Sequence, residues 1–508
     1  MWIALAIATG AAVAILLWTP GRPRPTRLDW VVAAFAVPAL FLLSYRAAES
    51  VISMLSDTWT FIRVMPGVAL SRGYRLYYPE GQGPLLGWSY GPFMPAVHGL
   101  LGLLRLLPTP AAAVVVAGVL NEVVLLGPLL LLIWRSLPGP GAAVLLSALH
   151  GLMLFDAPTS FWLNGVQVDT FAIGFLVLGF WTLLGAEPAA PISRARLAVA
   201  AALIICGIFS KQNEIFAAVA LIAYVWLRDG RRGALTFTLG LCAAGAVGVL
   251  LSLAAFGWDA LFLNMWLVQV RCPRLMAGWS VIGTCALEFA WQGAGLLLAI
   301  AALAVAGRRR GGPAATRREW LLANPWIFLV LAALLIFPIS VLARAKVGGA
   351  VNSNHGVYHL FAALAMLAAG FARGEAPVAR VGVPFAALGV VAVVALAYPW
   401  DARSLDERLG DNRLAVETRF SKAHPEEVWF SANPLVTLYT DGKLYHHGYG
   451  VYDRILPNLR PTPRHLQEHL PARLRWVGTV GAPFWMPDGL TPIPPPEGVK
   501  ELLWFERR

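Results

Sequence analysis

The chain has 508 residues, of which 58% are hydrophobic and only 13% charged. Soluble domains carry about 25% charged residues, and a mean hydropathy of +0.65 excludes an ordinary soluble protein. The net charge of +12 does not mark a nucleic-acid binder. Lys and Arg fall mostly in short loops between apolar runs, as the positive-inside bias requires, and such loops suit an anionic leaflet.

Apolar segments recur at 1–19, 29–47, 93–107, 110–134, 141–157, 167–186, 196–209, 211–227, 233–256, 280–306, 324–343, 356–373 and 381–399. A bilayer span needs about 20 residues. Met1–Trp18 lacks the basic start and the cleavage site of a signal peptide and reads as a retained span. The basic loops set the orientation. Arg22, Arg24 and Arg27 are cytoplasmic, as are Arg194 and Arg196, Arg228, Arg231 and Arg232, Arg308–Arg310 with Arg317 and Arg318, and Arg373 with Arg380. Asp57, Lys211, Lys346 and everything after Pro399 then lie outside. Parity holds if 93–107, which follows Pro92 and contains Pro95, does not fully cross but is re-entrant or interfacial. The alternative is that 196–209 is the partial segment. The fold class expected is an all-α polytopic membrane protein of about twelve spans, with residues 1–399 in the membrane domain and a first outside loop at 48–92.

That loop begins "SDTWTFIRVMPGVALS". Its spacing predicts an interfacial helix with Trp59, Ile62, Met65 and Ala69 on one face, and Asp57, Thr60 and Arg63 on another. Pro66 and Gly67 are expected to break it. Asp57 is either a helix cap or a carboxylate held at the membrane surface. "GYRLYYPEGQGPLLGWSYGP" follows, and Tyr74, Tyr77, Tyr78, Trp88 and Tyr90 offer flat faces to a substrate or belong to an aromatic belt.

Further along, Asn121 and Glu122 read as a buried polar helix contact, and Asp169 as a second acid or a helix start. "SKQNE" at Ser210–Glu214 and "RAKVGGAVNSNH" at Arg344–His355 place Lys211, Arg344 and Lys346 outside, against the positive-inside bias. Three such cations suit a phosphate. Asn352, Asn354 and His355 add donors, and Gly348 and Gly349 allow close approach. Cys206, Cys242, Cys272 and Cys285 show no metal-ligand spacing. From Asp401 the composition turns polar, which predicts a small extracytoplasmic α+β domain over 400–508. "EEVWFSANPLVTLYTDGKLYHHGYGVYDR" reads as strand, turn, strand, with His446 and His447 as an exposed pair. "TPRHLQEHLPARL" reads as a short helix capped by Thr462.

The order of these features resembles the GT-C superfamily of integral-membrane glycosyltransferases, over roughly residues 29–400. The resemblance rests on an acid in the first outside loop, "G-Y-R-L-Y", a Tyr-Pro loop, a later "K-Q", and "K-V-G-G" before a late span. It implies a sugar donor carried on polyprenyl phosphate, with Asp57 as general base and Lys211 and Lys346 near the carrier phosphate. The acceptor would be a glycan, lipid or protein in the cell envelope, reached from the outer face of the plasma membrane. Many members carry an acidic pair in the first loop. Here Asp57 stands nearly alone, with Glu49 eight residues earlier, so a divalent cation is neither assigned nor excluded. The rival functions are a transporter or flippase of an anionic or lipid-linked solute, which would carry polar groups near the midplane, and a scaffold displaying the outer domain.

Overall fold

The computed structural model describes residues 27–136, 165–184, 191–272, 280, 282–284, 287, 316–323, 326–345, 407–410, 412–480, 485–496 and 502–507. The expected spans 1–19, 141–157, 356–373 and 381–399, most of 280–306, and Lys346, Asn352 and His355 lie outside them. The described part is mostly helical with a small C-terminal sheet. Among the described residues two helices are long and apolar enough to cross a membrane, Pro110–Pro128 and Gln212–Phe256.

In chain order the larger helices are α1 (Arg27–Ser53), α2 (Thr58–Ser71), α3 (Phe93–Leu103), α4 (Pro110–Ser136), α5 (Val168–Leu184), α6 (Arg194–Ile208) and α7 (Ile215–Phe256). Helix α3 has 11 residues. At 1.5 Å per residue it is about 16 Å long, against a hydrocarbon core of about 30 Å. Helix α7 merges the expected segments 211–227 and 233–256. Gly230 breaks its axis, at φ 73°, where a side chain would be strained. A short stretch follows, α8 (Trp258–Leu261), a π-turn over Phe262–Leu267 and α9 (Val268–Arg271), and later come α10 (Arg317–Ala323) and α11 (Trp326–Arg344).

The helix ends sort by charge. Asp229 Oδ2 accepts from the Ile192 amide at 3.0 Å. Arg318 donates to the carbonyls of Leu227 and Arg228 at 2.8 and 3.0 Å. The loops carrying Arg194, Arg228 and Arg318 therefore meet at one end. Helices α5 and α6 pack against each other, and Asp169 at the start of α5 meets Lys211 just beyond α6 at the opposite end.

Helix α2 departs from the expected interfacial helix. Every residue from Thr60 to Ala69 is buried, so it is a core helix with no free apolar face. It also runs through Pro66 and Gly67 to Ser71. Gly67 faces α3. A Cβ there would lie 2.3 Å from His98 Cβ and 2.9 Å from the Pro95 carbonyl oxygen. Small residues at helix crossings let backbones approach in this way.

The C-terminal part contains α12 (Arg413–Ala423), β1 (Val428–Phe430), α13 (Pro434–Thr440), α14 (Gly448–Ile455), α15 (Pro463–Glu468), β2 (Trp476–Thr479), β3 (Leu490–Ile493) and β4 (Leu503–Arg507). The sheet order is β1-β2-β4-β3. β1 and β2 are parallel, Trp429 opposite Val477, and β4 runs antiparallel to both β2 and β3. The expected strand–turn–strand over 426–454 is corrected to one buried strand and two helices. Pro434 at the start of α13 pre-sets a helical φ, and β1 is buried at all three residues, so it has no alternation to read. The expected exposed pair is corrected too, since His446 and His447 are fully buried. Thr462 does cap α15, accepting from the His465 amide at 3.2 Å.

One apolar core crosses the expected domain boundary. Phe61, Val64 and Met65 of α2 belong to the same cluster as Phe430, Leu435 and Trp504. Polar bonds reinforce it. Tyr439 Oη donates to the Leu107 carbonyl at 2.8 Å, and Tyr74 Oη donates to the Gly442 carbonyl at 3.3 Å and accepts from the Leu444 amide at 3.2 Å.

The α2–α3 crossing is testable by overpacking. Gly67→Ala should destabilise by about 1–3 kcal/mol, lowering the melting temperature in detergent. Gly127→Ala, whose new methyl meets open space, should leave it unchanged or raise it. Equal melting of Gly67→Ala and wild type contradicts the crossing.

Candidate active site

The site begins with the first turn of α2. Asp57 is its N-cap, with extended backbone. Oδ1 accepts from the Trp59 amide at 3.3 Å, and Oδ2 accepts from the Thr60 amide and the Thr60 hydroxyl, each at 2.7 Å. Such a cap contributes about 0.5–2 kcal/mol. The carboxylate is only half-buried. Burial raises its pKa above the usual carboxylate range, against the Thr60 and Trp59 hydrogen bonds and the Arg413 charge, which lower it.

The Thr60 hydroxyl also accepts from the Val166 amide at 3.2 Å. This ties α2 to the loop before α5. Asn121 of α4 pins that loop at two points, its Oδ1 accepting from the Gln167 amide at 3.0 Å and its Nδ2 donating to the Gly165 carbonyl at 3.3 Å. A Cβ on Gly165 would sit 2.9 Å from Asp57 Oδ2. Glycine at this position lets the loop before α5 pack close against the carboxylate.

Next to this loop, Asp169 and Lys211 form a buried ion pair. Lys211 is therefore not an uncommitted cation. Tyr90 and Glu214 lie within electrostatic reach of its ammonium. Gln212 Nε2 donates to the Ser89 carbonyl at 3.4 Å, and the Phe93 amide donates to the Phe209 carbonyl at 3.2 Å, so the 89–93 strap lies on the end of α6. Helix α11 starts beside α7, where Phe328 meets Tyr224 at 5.1 Å, and packs against the 212–214 turn. Its last residue, half-buried Arg344, thus comes to the Lys211 end.

The sequence reading missed Arg63 as a site cation. It is buried, 6% exposed. Its guanidinium lies 4.7 Å from the Tyr90 ring centroid and 5.6 Å from that of Trp88. Nη2 reaches Tyr90 Oη at 3.4 Å, while Nε has no partner. Arg413 was missed as well. It donates from Nη1 to the Thr58 hydroxyl at 2.7 Å and from Nε to Glu417 at 2.6 Å, carrying the C-terminal part onto the start of α2. Tyr449, half-buried, meets Trp59 ring to ring at 5.0 Å and stacks on His447. Burial pushes His447 down to about 3, which keeps it neutral.

Of the aromatic residues singled out, Tyr90 stands between Arg63 and Lys211. Tyr78 and Trp88 line a cavity behind the strap. Tyr77 is buried and its hydroxyl donates to the Tyr90 carbonyl, and Tyr74 bonds the C-terminal part, as above. Glu49 pairs with Arg46 at 2.7 Å. Among the described residues no group of three or more His, Cys, Asp and Glu side chains could hold a metal ion.

No family model matches the chain. No curated relative matches it either. Two solved structures are similar. One is the crystal structure of ArnT from Cupriavidus metallidurans bound to undecaprenyl phosphate, at 17% identity and a TM-score of 0.45, covering 85% of this chain and 78% of that one. The other is the same protein in the apo state, at 17% identity and 0.37, covering 90% and 77%.

The buried pair is testable by a double-mutant cycle. Lys211→Met leaves Asp169 buried and uncompensated, and should cost about 3–5 kcal/mol. Adding Asp169→Asn should restore most of the loss. Additive losses in thermal unfolding contradict the pair.

Proposed function

We propose that this chain is a membrane glycosyltransferase that moves a sugar from a polyprenyl-phosphate carrier to an extracytoplasmic acceptor. The observation that carries the reading is the Asp57 carboxylate, raised in pKa by burial, only partly buried, and set at the same helix end as Arg63, Tyr90, Asp169 and Lys211. A transporter site near the middle of the membrane would not gather its polar groups at one end. The order of motifs in the sequence points to the same chemistry.

In this reading Asp57 accepts the proton of the acceptor hydroxyl as its oxygen bonds to the anomeric carbon of the sugar. The bond from that carbon to the phosphate oxygen breaks, and carrier phosphate leaves. Arg63 supplies a guanidinium suited to that phosphate. Lys211, held by Asp169, adds positive potential without being free to move. The sequence reading adds Lys346, Asn352 and His355 to the phosphate site, together with Arg344. Tyr90 and Trp88 supply flat faces to the sugar. The site opens on the outer side of the plasma membrane, under the C-terminal part.

Asp57→Asn separates chemistry from folding, because Asn caps helices as well as Asp does. Transfer of labelled sugar from a polyprenyl-phosphate donor should fall about 10²–10⁴-fold, with melting temperature and carrier binding retained. Transfer at the wild-type rate removes Asp57 from the mechanism. The base acts ionised, so the rate falls as pH drops through its raised pKa. Thr60→Val removes a hydrogen bond that lowers that pKa, and the acid limb of the pH profile should move to higher pH. A limb that stays in place contradicts Asp57 as the titrating group.

A further inference from the structure

The strap is continuous back to Gly83, and it brings Trp88 and Tyr90 to Arg63. Histidines of the C-terminal part hold its first residues. His446 is buried against them. Its Nδ1 accepts from the Leu85 amide at 3.0 Å, and its Nε2 lies 3.0 Å from the His465 carbonyl oxygen. An amide N–H needs a bare ring nitrogen, and a carbonyl needs a ring N–H. The two bonds together fix His446 as neutral, with its proton on Nε2. Its own amide donates to the His469 carbonyl at 3.1 Å.

Two more imidazoles crowd this ring. His465 stands at 5.4 Å and His469 at 5.3 Å from it, centroid to centroid, and 5.7 Å from each other. His465 Nε2 donates to the Gly83 carbonyl at 2.7 Å, while its Nδ1 is buried without a partner. His469 is partly exposed and forms the edge of the cluster. Glu468 lies within electrostatic reach of His469, but it is paired with Arg464 at 2.7 Å. Residues 83–89 and β1 carry no ionisable side chain. Helix α14 follows His447, which faces Arg63, and carries Asp453 beside Gly87 and Arg454 on Asn264. No described carboxylate pairs with His446. A proton on its Nδ1 would therefore break the Leu85 bond and leave an uncompensated charge in the interface.

We propose that His446 is a pH-sensitive latch, which holds the C-terminal part on the strap when neutral and releases it in acid. The sign follows from linkage. In the docked state burial pushes His446 down to about 3. In the released state the ring returns to about 6.5. Below that pH the released state takes up a proton that the docked state refuses. Release is then favoured by up to about tenfold per pH unit. The orientation read from the basic loops exposes the latch to the outside solution, where pH varies with the surroundings.

Hydrogen exchange tests the latch directly, because the Leu85 amide is one of its bonds and exchange reports even rare openings. The full chain in nanodiscs needs neither donor nor acceptor, so the outcome is independent of the reaction assigned to Asp57. Protection factors, in which the intrinsic pH dependence of exchange cancels, are compared for the 83–90 segment and for α5 and α6. The 83–90 segment should lose at least about tenfold in protection from about pH 7 to about pH 5, and α5 and α6 less than about twofold. The loss should set in near the free-histidine value of about pH 6.5. His446→Asn keeps an acceptor where Nδ1 stands and takes up no proton, so its loss should stay below about threefold. The onset is read on the wild type, which keeps the test valid if His446→Asn does not fold. Constant protection, an equal loss in α5 and α6, an onset below about pH 5 in the carboxylate range, or a full loss in His446→Asn overturns the proposal.

Discussion

The contact on which the rest of the site depends is the double use of the Asp57 carboxylate. It must accept from two amides to start α2, and it must sit close against the Gly165 loop, where a methyl group would collide with it. Thr60 reconciles the two demands. Its hydroxyl donates to Asp57 and accepts from Val166, so the cap and the loop before α5 form one hydrogen-bonded unit. The residue is not fully buried, and its burial raises the carboxylate's pKa. A cap and a base are not alternatives here, because one geometry serves both.

The C-terminal part is built into this arrangement. Arg413 bonds Thr58 one residue beyond Asp57, and the Arg413 amide donates to the Ser56 hydroxyl one residue before it. His446 accepts from the Leu85 amide through Nδ1 at 3.0 Å, and the His447 amide donates to the Leu85 carbonyl at 2.9 Å. Gly450 packs so tightly on the strap that a Cβ would lie 2.3 Å from the Leu85 carbonyl oxygen. The strap that carries Trp88 and Tyr90 is therefore clamped from the C-terminal side, and a shift of that part would be felt at Arg63.

What could be read from sequence was whatever depends on order along the chain. The sorting of Asp57, Asp169 and Lys211 to the end opposite Arg194 and Arg228 followed from the basic loops once one segment, 93–107 or 196–209, was read as partial. The shortness of the helix in 93–107 was legible from its length and prolines, and the Thr462 cap from local residue type. What could not be read depends on partners distant in sequence. Lys211 looked free because Asp169 is 42 residues away. Helix α2 looked interfacial because its second apolar face is covered by residues beyond 410. His446 and His447 looked exposed because the strap that buries them lies some 360 positions earlier. Arg63 carries no local mark at all, and only its burial beside Trp88 and Tyr90 sets it apart.

The central claim is that the Asp57 end of the helices faces outside the cell and the Arg228 end faces the cytoplasm. Cysteine labelling with a membrane-impermeant thiol reagent tests it most directly. In a background lacking the four native cysteines, Thr58→Cys and Asp441→Cys should react in intact cells, and Arg231→Cys only after the membrane is opened. Reaction of Arg231→Cys in intact cells, with Thr58→Cys and Asp441→Cys protected until lysis, would contradict the account.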